Sequence, residues 1–107
     1  MTTTAAEGLA VPAMVEAALR RVRAEQHRAA LLLTGPAKYR RLSTLYEQEA
    51  RLWALLVLHT AEPVHRRAAS DAQVTARARA REYAEFAHHW TAPRTAAAAA
   101  VGQDDTR

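Results

Sequence analysis

Glu85-Phe86-Ala87-His88 is the segment of this chain whose residue types and spacing come closest to chemistry. On a helix, a Glu-x-x-His step brings a carboxylate and an imidazole to one side. Carboxylate-bridged di-metal bundles use that step twice, with two further Glu residues from other helices. The second copy fails here: Glu62-Pro63-Val64-His65 has the letters, but Pro63 interrupts the helix that would align them. His88 also lies roughly 160° around the helix from the Tyr83/Trp90 stripe, at about 100° per residue, so the pair faces water. The remaining histidines, His27, His59, His65 and His89, have no nucleophile beside them. Three glycines rule out a Walker or dinucleotide loop, and no Gly-x-Ser-x-Gly elbow is present. The absence of Cys removes disulfides, thiolate nucleophiles and Cys-based metal sites. No acid–base or nucleophilic pair is formed, so the chain is expected not to be an enzyme. No cofactor, metal or small-molecule ligand is expected.

Glu49 is a different matter, because it interrupts a core stripe between Tyr46 and Trp53. A carboxylate on a buried face needs a partner, since an unpaired buried charge is costly. An antiparallel hairpin about Gly35 brings Arg21 near Glu49, and Arg79 and Tyr83 of the third helix are the alternatives. The expected role is a buried polar contact that sets helix register. Arg20, Arg23 and His27 on the first helix, with Arg77 and Arg81 on the third, form a candidate basic surface for nucleic acid. Such a surface alone gives weak, salt-sensitive attraction, and Glu16, Glu25, Glu82 and Glu85 dilute it.

The elements that carry these residues are marked by Pro and Gly. Pro12 suits the first turn of a helix, and Gly35–Pro36 combines a left-handed stop with a first-turn Pro. The residue before Pro63 is pushed out of helical geometry. Ser70-Asp71-Ala72-Gln73 has capping-box spacing. These signals predict three long helices near 11–33, 36–61 and 70–91. The stripe Val15, Leu19, Val22, Gln26, Ala29, Leu33 marks the first; Tyr39, Leu42, Tyr46, Glu49, Trp53, Leu56 the second; Ala76, Ala80, Tyr83, Ala87, Trp90 the third. Large rings on one helix meeting alanines on its neighbours allow close interdigitation. The fold class is therefore all-α, an antiparallel up-down-up bundle over 11–92. A flexible segment at 1–10 and a disordered, alanine-rich tail at 93–107 are expected to flank it.

A chain of 107 residues holds one such domain. Half its residues are hydrophobic, but 27 are Ala, so the supply of large anchors is thin and stability can lean on association. The formal charge of +4 is spread along the chain rather than gathered in a block. No secretory layout opens the sequence. Its longest large-apolar run, Leu55–Leu58, is far short of the ~20 residues that cross a bilayer. A soluble, cytoplasmic protein without a membrane partner is expected. That same run is the informative oddity: Leu55 and Leu58 point roughly 140–160° away from the Trp53 stripe. They are the candidate protein interface. The sequence thus reads as a small helical interaction or regulatory module that self-associates or docks a protein partner, the alternative being a nucleic-acid-associated accessory protein.

Overall fold

Two prolines set the starts of the second and third helices. The computed structural model describes the backbone of residues 2–105 and the side chains of residues 11–90. It contains α1 (Thr2–Ala30), α2 (Pro36–His59) and α3 (Pro63–Asp105), and no strand among the described residues. Pro36 stands at the first turn of α2, where its missing N–H needs no partner. Pro63 does the same for α3, and the first turn there is closed by Arg66 N–H donating to the Glu62 carbonyl at 2.9 Å. The Arg66 guanidinium donates to the Thr60 carbonyl at 3.1 Å, tying the new helix to the end of the last one.

Several expected boundaries move. α3 starts at Pro63 rather than Ser70, because residues 63–69 contain no breaker after the proline; the Ser70–Gln73 spacing falls inside a helix already under way. α3 also continues past Pro93, through a run of strong helix formers. α1 begins at Thr2, which leaves Pro12 inside it. The flexible segment expected at 1–10 and the tail expected at 93–107 fall on residues whose side chains lie outside the described ones. α1 ends at Ala30 instead of Leu33, and Leu33 is consequently not on the core stripe. Gly35 is not left-handed: its φ of 168° and ψ of 178° are extended, the conformation imposed on a residue that precedes Pro.

Along each pair of neighbouring helices the contacts run in opposite senses, residue numbers falling on one helix as they rise on the other. Arg23 meets Trp53, Gln26 meets Glu49 and Glu25 meets Arg41 between α1 and α2. Tyr46 meets Arg79, Ser43 meets Ala80 and Tyr39 meets Trp90 between α2 and α3. Both hairpins are therefore antiparallel. α2 packs against both neighbours, whereas among the described residues no α1 Cα lies within 8 Å of one in α3. The α2–α3 seam is narrow because small residues line it: Ala50 on α2, and Ala69, Ala76, Ala80 and Ala87 on α3, are all buried. Ser43 Oγ donates to the Ala80 carbonyl across this seam at 2.8 Å. Leu42, Leu45 and Ala29 form the buried cluster, with Tyr39, Tyr46 and Tyr83 half-buried around it. The expected pattern of rings against alanines is replaced by rings against rings, Tyr83 stacking on Tyr39 and Tyr46, beside a separate row of buried alanines.

Candidate functional site

Along α2 the outward line runs Thr44, Gln48, Arg51, Leu55, Leu58, at alternating steps of four and three residues, and every member is exposed. It is polar for three positions and apolar for the last two. Leu58 is 77 % exposed and Leu55 41 %, so α3 does not fold back over them. The other side of the seam extends the patch. Arg77 lines a shallow cleft with Glu47 and Arg51; one turn before Arg77 on the same side of α3 stands Val74, 64 % exposed. One turn beyond Arg51 on α2 stands Leu55. The three apolar side chains thus share the face on which α2 and α3 both reach solvent, next to a group carrying both charge signs.

Glu49 is half-buried and bonded, but to other groups than those expected. Its two oxygens accept from Gln26 Nε2 at 3.0 Å and from Trp53 Nε1 at 3.1 Å. Arg21 is exposed on α1, and Gln26, 8 % exposed, holds the place opposite Glu49. The turn draws residues 31–35 out of α1, which shifts the register of the hairpin away from Arg21. Arg79 instead lies over the Tyr46 ring, 6.0 Å from its centroid, and Arg23 over Trp53 at 5.8 Å. Tyr83 stacks between Tyr46 at 5.5 Å and Tyr39 at 6.1 Å. Burial, followed by the neighbouring Tyr46 hydroxyl, pushes the Tyr83 phenol above its ordinary value. Beside Gln26 on α1, hydrogen bonds from Arg28 and then Arg41 hold the Glu25 carboxyl below its ordinary range.

The five expected basic residues, all exposed, do not come together as one surface. Arg23 and His27 line a cleft of about 350 Å³ between α1 and α3, with Glu49, Arg79 and Tyr83 in the same wall. Arg77 lines the different cleft it shares with Glu47 and Arg51, and Arg81 stands one turn on from it. Arg20 is one turn before Arg23 on α1. The helix angle between positions 77 and 79 is what divides the set: Arg79 faces α1 and Arg77 faces away.

No protein-family model matches this chain, and no curated protein or solved structure does either. The reading of the site therefore rests on its own geometry. Among the described residues no group of three or more His, Asp or Glu side chains converges as a metal ion would require. His88 and His89 are adjacent, with ring centroids 6.1 Å apart, and both are exposed. His59 and His65 do approach the same feature, an open cleft of about 580 Å³ at the α2–α3 turn, floored by Trp53 and Leu56. Among the described residues no helix is long and apolar enough to cross a membrane.

Sequence reasoning found Leu55 and Leu58 but missed Val74, which the same buried stripe of Ala76, Ala80 and Ala87 already puts on the outward side of α3, about 200° around from Ala76. It also missed Leu31–Leu33, assigned to the end of α1. The Thr-Gly-Pro that follows them was the available signal, since closing a hairpin onto Pro36 takes several residues out of helical geometry.

Proposed function

We propose that the chain is a non-enzymatic helical interaction module that docks a second protein through the end of the α2–α3 hairpin bearing Leu55, Leu58 and Val74. The observation that carries this reading is the exposure of Leu55 and Leu58 at the end of an otherwise polar outward line, with neither neighbouring helix covering them. Contiguous exposed apolar side chains rimmed by charge commonly mark a contact surface. The rim of Glu47, Arg51 and Arg77 supplies orientation, and the leucines supply the desolvated centre. A cytoplasmic setting fits a chain without cysteine, and a regulatory role fits a module whose output is binding. The nucleic-acid alternative draws less support, because its basic residues are divided between two clefts with carboxylates in each.

The test compares wild type with Leu55→Gln/Leu58→Gln in a pull-down from native lysate, with circular dichroism on both proteins. Burial of each leucine is worth roughly 1.5–3 kcal/mol, so a partner held by wild type is lost by the variant while helix content is unchanged. Equal recovery by the two proteins sinks the proposal. Recovery of nucleic acid alone, sensitive to salt and indifferent to the leucines, replaces it with the alternative.

A further inference from the structure

The α1–α2 turn carries three consecutive leucines in water: Leu31 is 86 % exposed, Leu32 50 % and Leu33 94 %. The turn is ordered by its own hydrogen bonds, Leu31 N–H donating to the Arg28 carbonyl and Leu32 N–H to the Ala29 carbonyl, both at 3.1 Å. It is therefore a fixed apolar knob. At the same end of the molecule Tyr39, Phe86, His89 and Trp90 line an open dimple of about 270 Å³, and Phe86 is 44 % exposed. Gly35, at the base of the knob, passes the dimple wall: a Cβ there would lie 3.9 Å from Trp90 Nε1. Each heavy atom of a leucine side chain takes on the order of the ~30 Å³ of a water, so the dimple has room for one or two such side chains. A run of three exposed apolar residues is a functional device or a solubility fault.

We infer that this end of the molecule binds a second copy of the chain, the leucine knob of each copy seated in the aromatic dimple of the other about a two-fold axis. Knob and dimple lie side by side on one surface, which is what an isologous contact requires. The charges around them favour a like chain over an anionic bilayer. Arg28 lies one turn before Leu31 and Lys38 next to Tyr39, while Glu82 and Glu85 lie within a turn or so of Phe86, so a two-fold copy can set one sign against the other. A lipid surface would meet both carboxylates. Four exposed apolar side chains per copy, at about 100 Å² each, bring roughly 800 Å² of apolar area into the pair. With a polar rim this approaches the lower end of specific interfaces, near ~1,200 Å², and corresponds to a weak, concentration-dependent dimer. The knob sits some 33 Å along α2 from Leu58, so this contact is independent of the docking surface proposed above.

Sedimentation equilibrium over about 10 µM to 1 mM, a span covering weak dimers, tests the pairing. Wild type shows a monomer–dimer equilibrium. Leu31→Ser/Leu33→Ser removes the knob and Phe86→Ala opens the dimple, and each raises the dissociation constant tenfold or more. The three wild-type side chains replaced are exposed to solvent or nearly half so, and circular dichroism confirms that each variant is folded. An equimolar mixture of the two variants associates more strongly than either alone, because one intact knob meets one intact dimple. A wild-type chain that stays monomeric to 1 mM overturns the inference, as does a knob variant that dimerises like wild type. Leu55→Gln/Leu58→Gln leaves this dimer intact; loss of the dimer in that variant would place self-association at the other end of α2 and overturn it too. Sedimentation of the monomer with vesicles of anionic phospholipid, with no self-association, would do so in favour of a lipid surface.

Discussion

Replacing Glu49 with Ala and with Gln should give two very different proteins. Glu49 joins α1 to α2 by accepting from Gln26 Nε2, and it holds Trp53 within its own helix. Alanine leaves the buried Gln26 amide without an acceptor, a desolvation cost of about 1–3 kcal/mol. The Trp53 indole is only half-buried and can recruit water, so it adds little. About 2 kcal/mol in total lowers Tm by roughly 8–16 °C in a domain of this size. Glutamine behaves otherwise. Its carbonyl still accepts from Trp53, and its amide donates to Gln26 once the Gln26 amide turns over, an exchange of donor and acceptor that leaves both bonds in place. Loss of charge assistance then costs under about 1 kcal/mol. Thermal and urea unfolding followed by circular dichroism measure both variants, and a double-mutant cycle with Gln26→Ala isolates the cross-helix bond. An alanine variant melting within roughly 2 °C of wild type, or a glutamine variant falling as far as alanine, would refute the reasoning.

Leu45→Ala empties the centre of the buried Ala29–Leu42–Leu45 cluster, and should cost about 2–5 kcal/mol; a urea midpoint close to wild type would show that the tyrosines collapse into the gap. Tyr83 makes stability fall at alkaline pH. Its folded value is raised above 10.0, so the contribution is complete below the unfolded value and is lost as pH rises through the folded one. Tyr83→Phe should flatten that decline while leaving neutral-pH behaviour alone. Glu25 acts in the opposite sense: its value is lowered by Arg28 and Arg41, so its contribution is present above the unfolded value and fades as pH falls through the folded one. The group is exposed, and Glu25→Gln should give a small effect that high salt erases.

The parts of the fold legible in the sequence were those where one strong local signal acted alone. Pro36 starts a helix, the residues before Pro63 end it, and the heptad spacing of Tyr39, Tyr46 and Trp53 did mark the inner face of α2. Misreadings arose where two signals competed. Ser70–Gln73 has the spacing of a start, but a proline seven residues earlier had already nucleated the helix. Leu31–Leu33 have excellent helix propensity and the right period, yet the chain must reverse before Pro36, and closing that reversal outweighs propensity. Glu49 was legible as a polar residue on the inner stripe, half-buried in the outcome, since only its position on the stripe was needed. Its partner was not, because partner identity depends on a register that the turn length decides.

The arrangement of α2 between two helices whose Cα atoms, among the described residues, stay more than 8 Å apart has a consequence for how the molecule breathes. Contacts such as Gln26–Glu49 and Arg23–Trp53 tie α1 to α2 alone, while the tyrosine stack and the alanine seam tie α3 to it separately. Detaching α1 therefore leaves the α2–α3 hairpin with its own packing, whereas nothing detaches α2 without releasing both neighbours. Native-state hydrogen exchange should divide the chain accordingly: amides of α1 exchange through a low-energy opening, and those along the middle of α2 exchange only on global unfolding. The helix that runs between the two apolar ends is thus also the last part of the chain to let go.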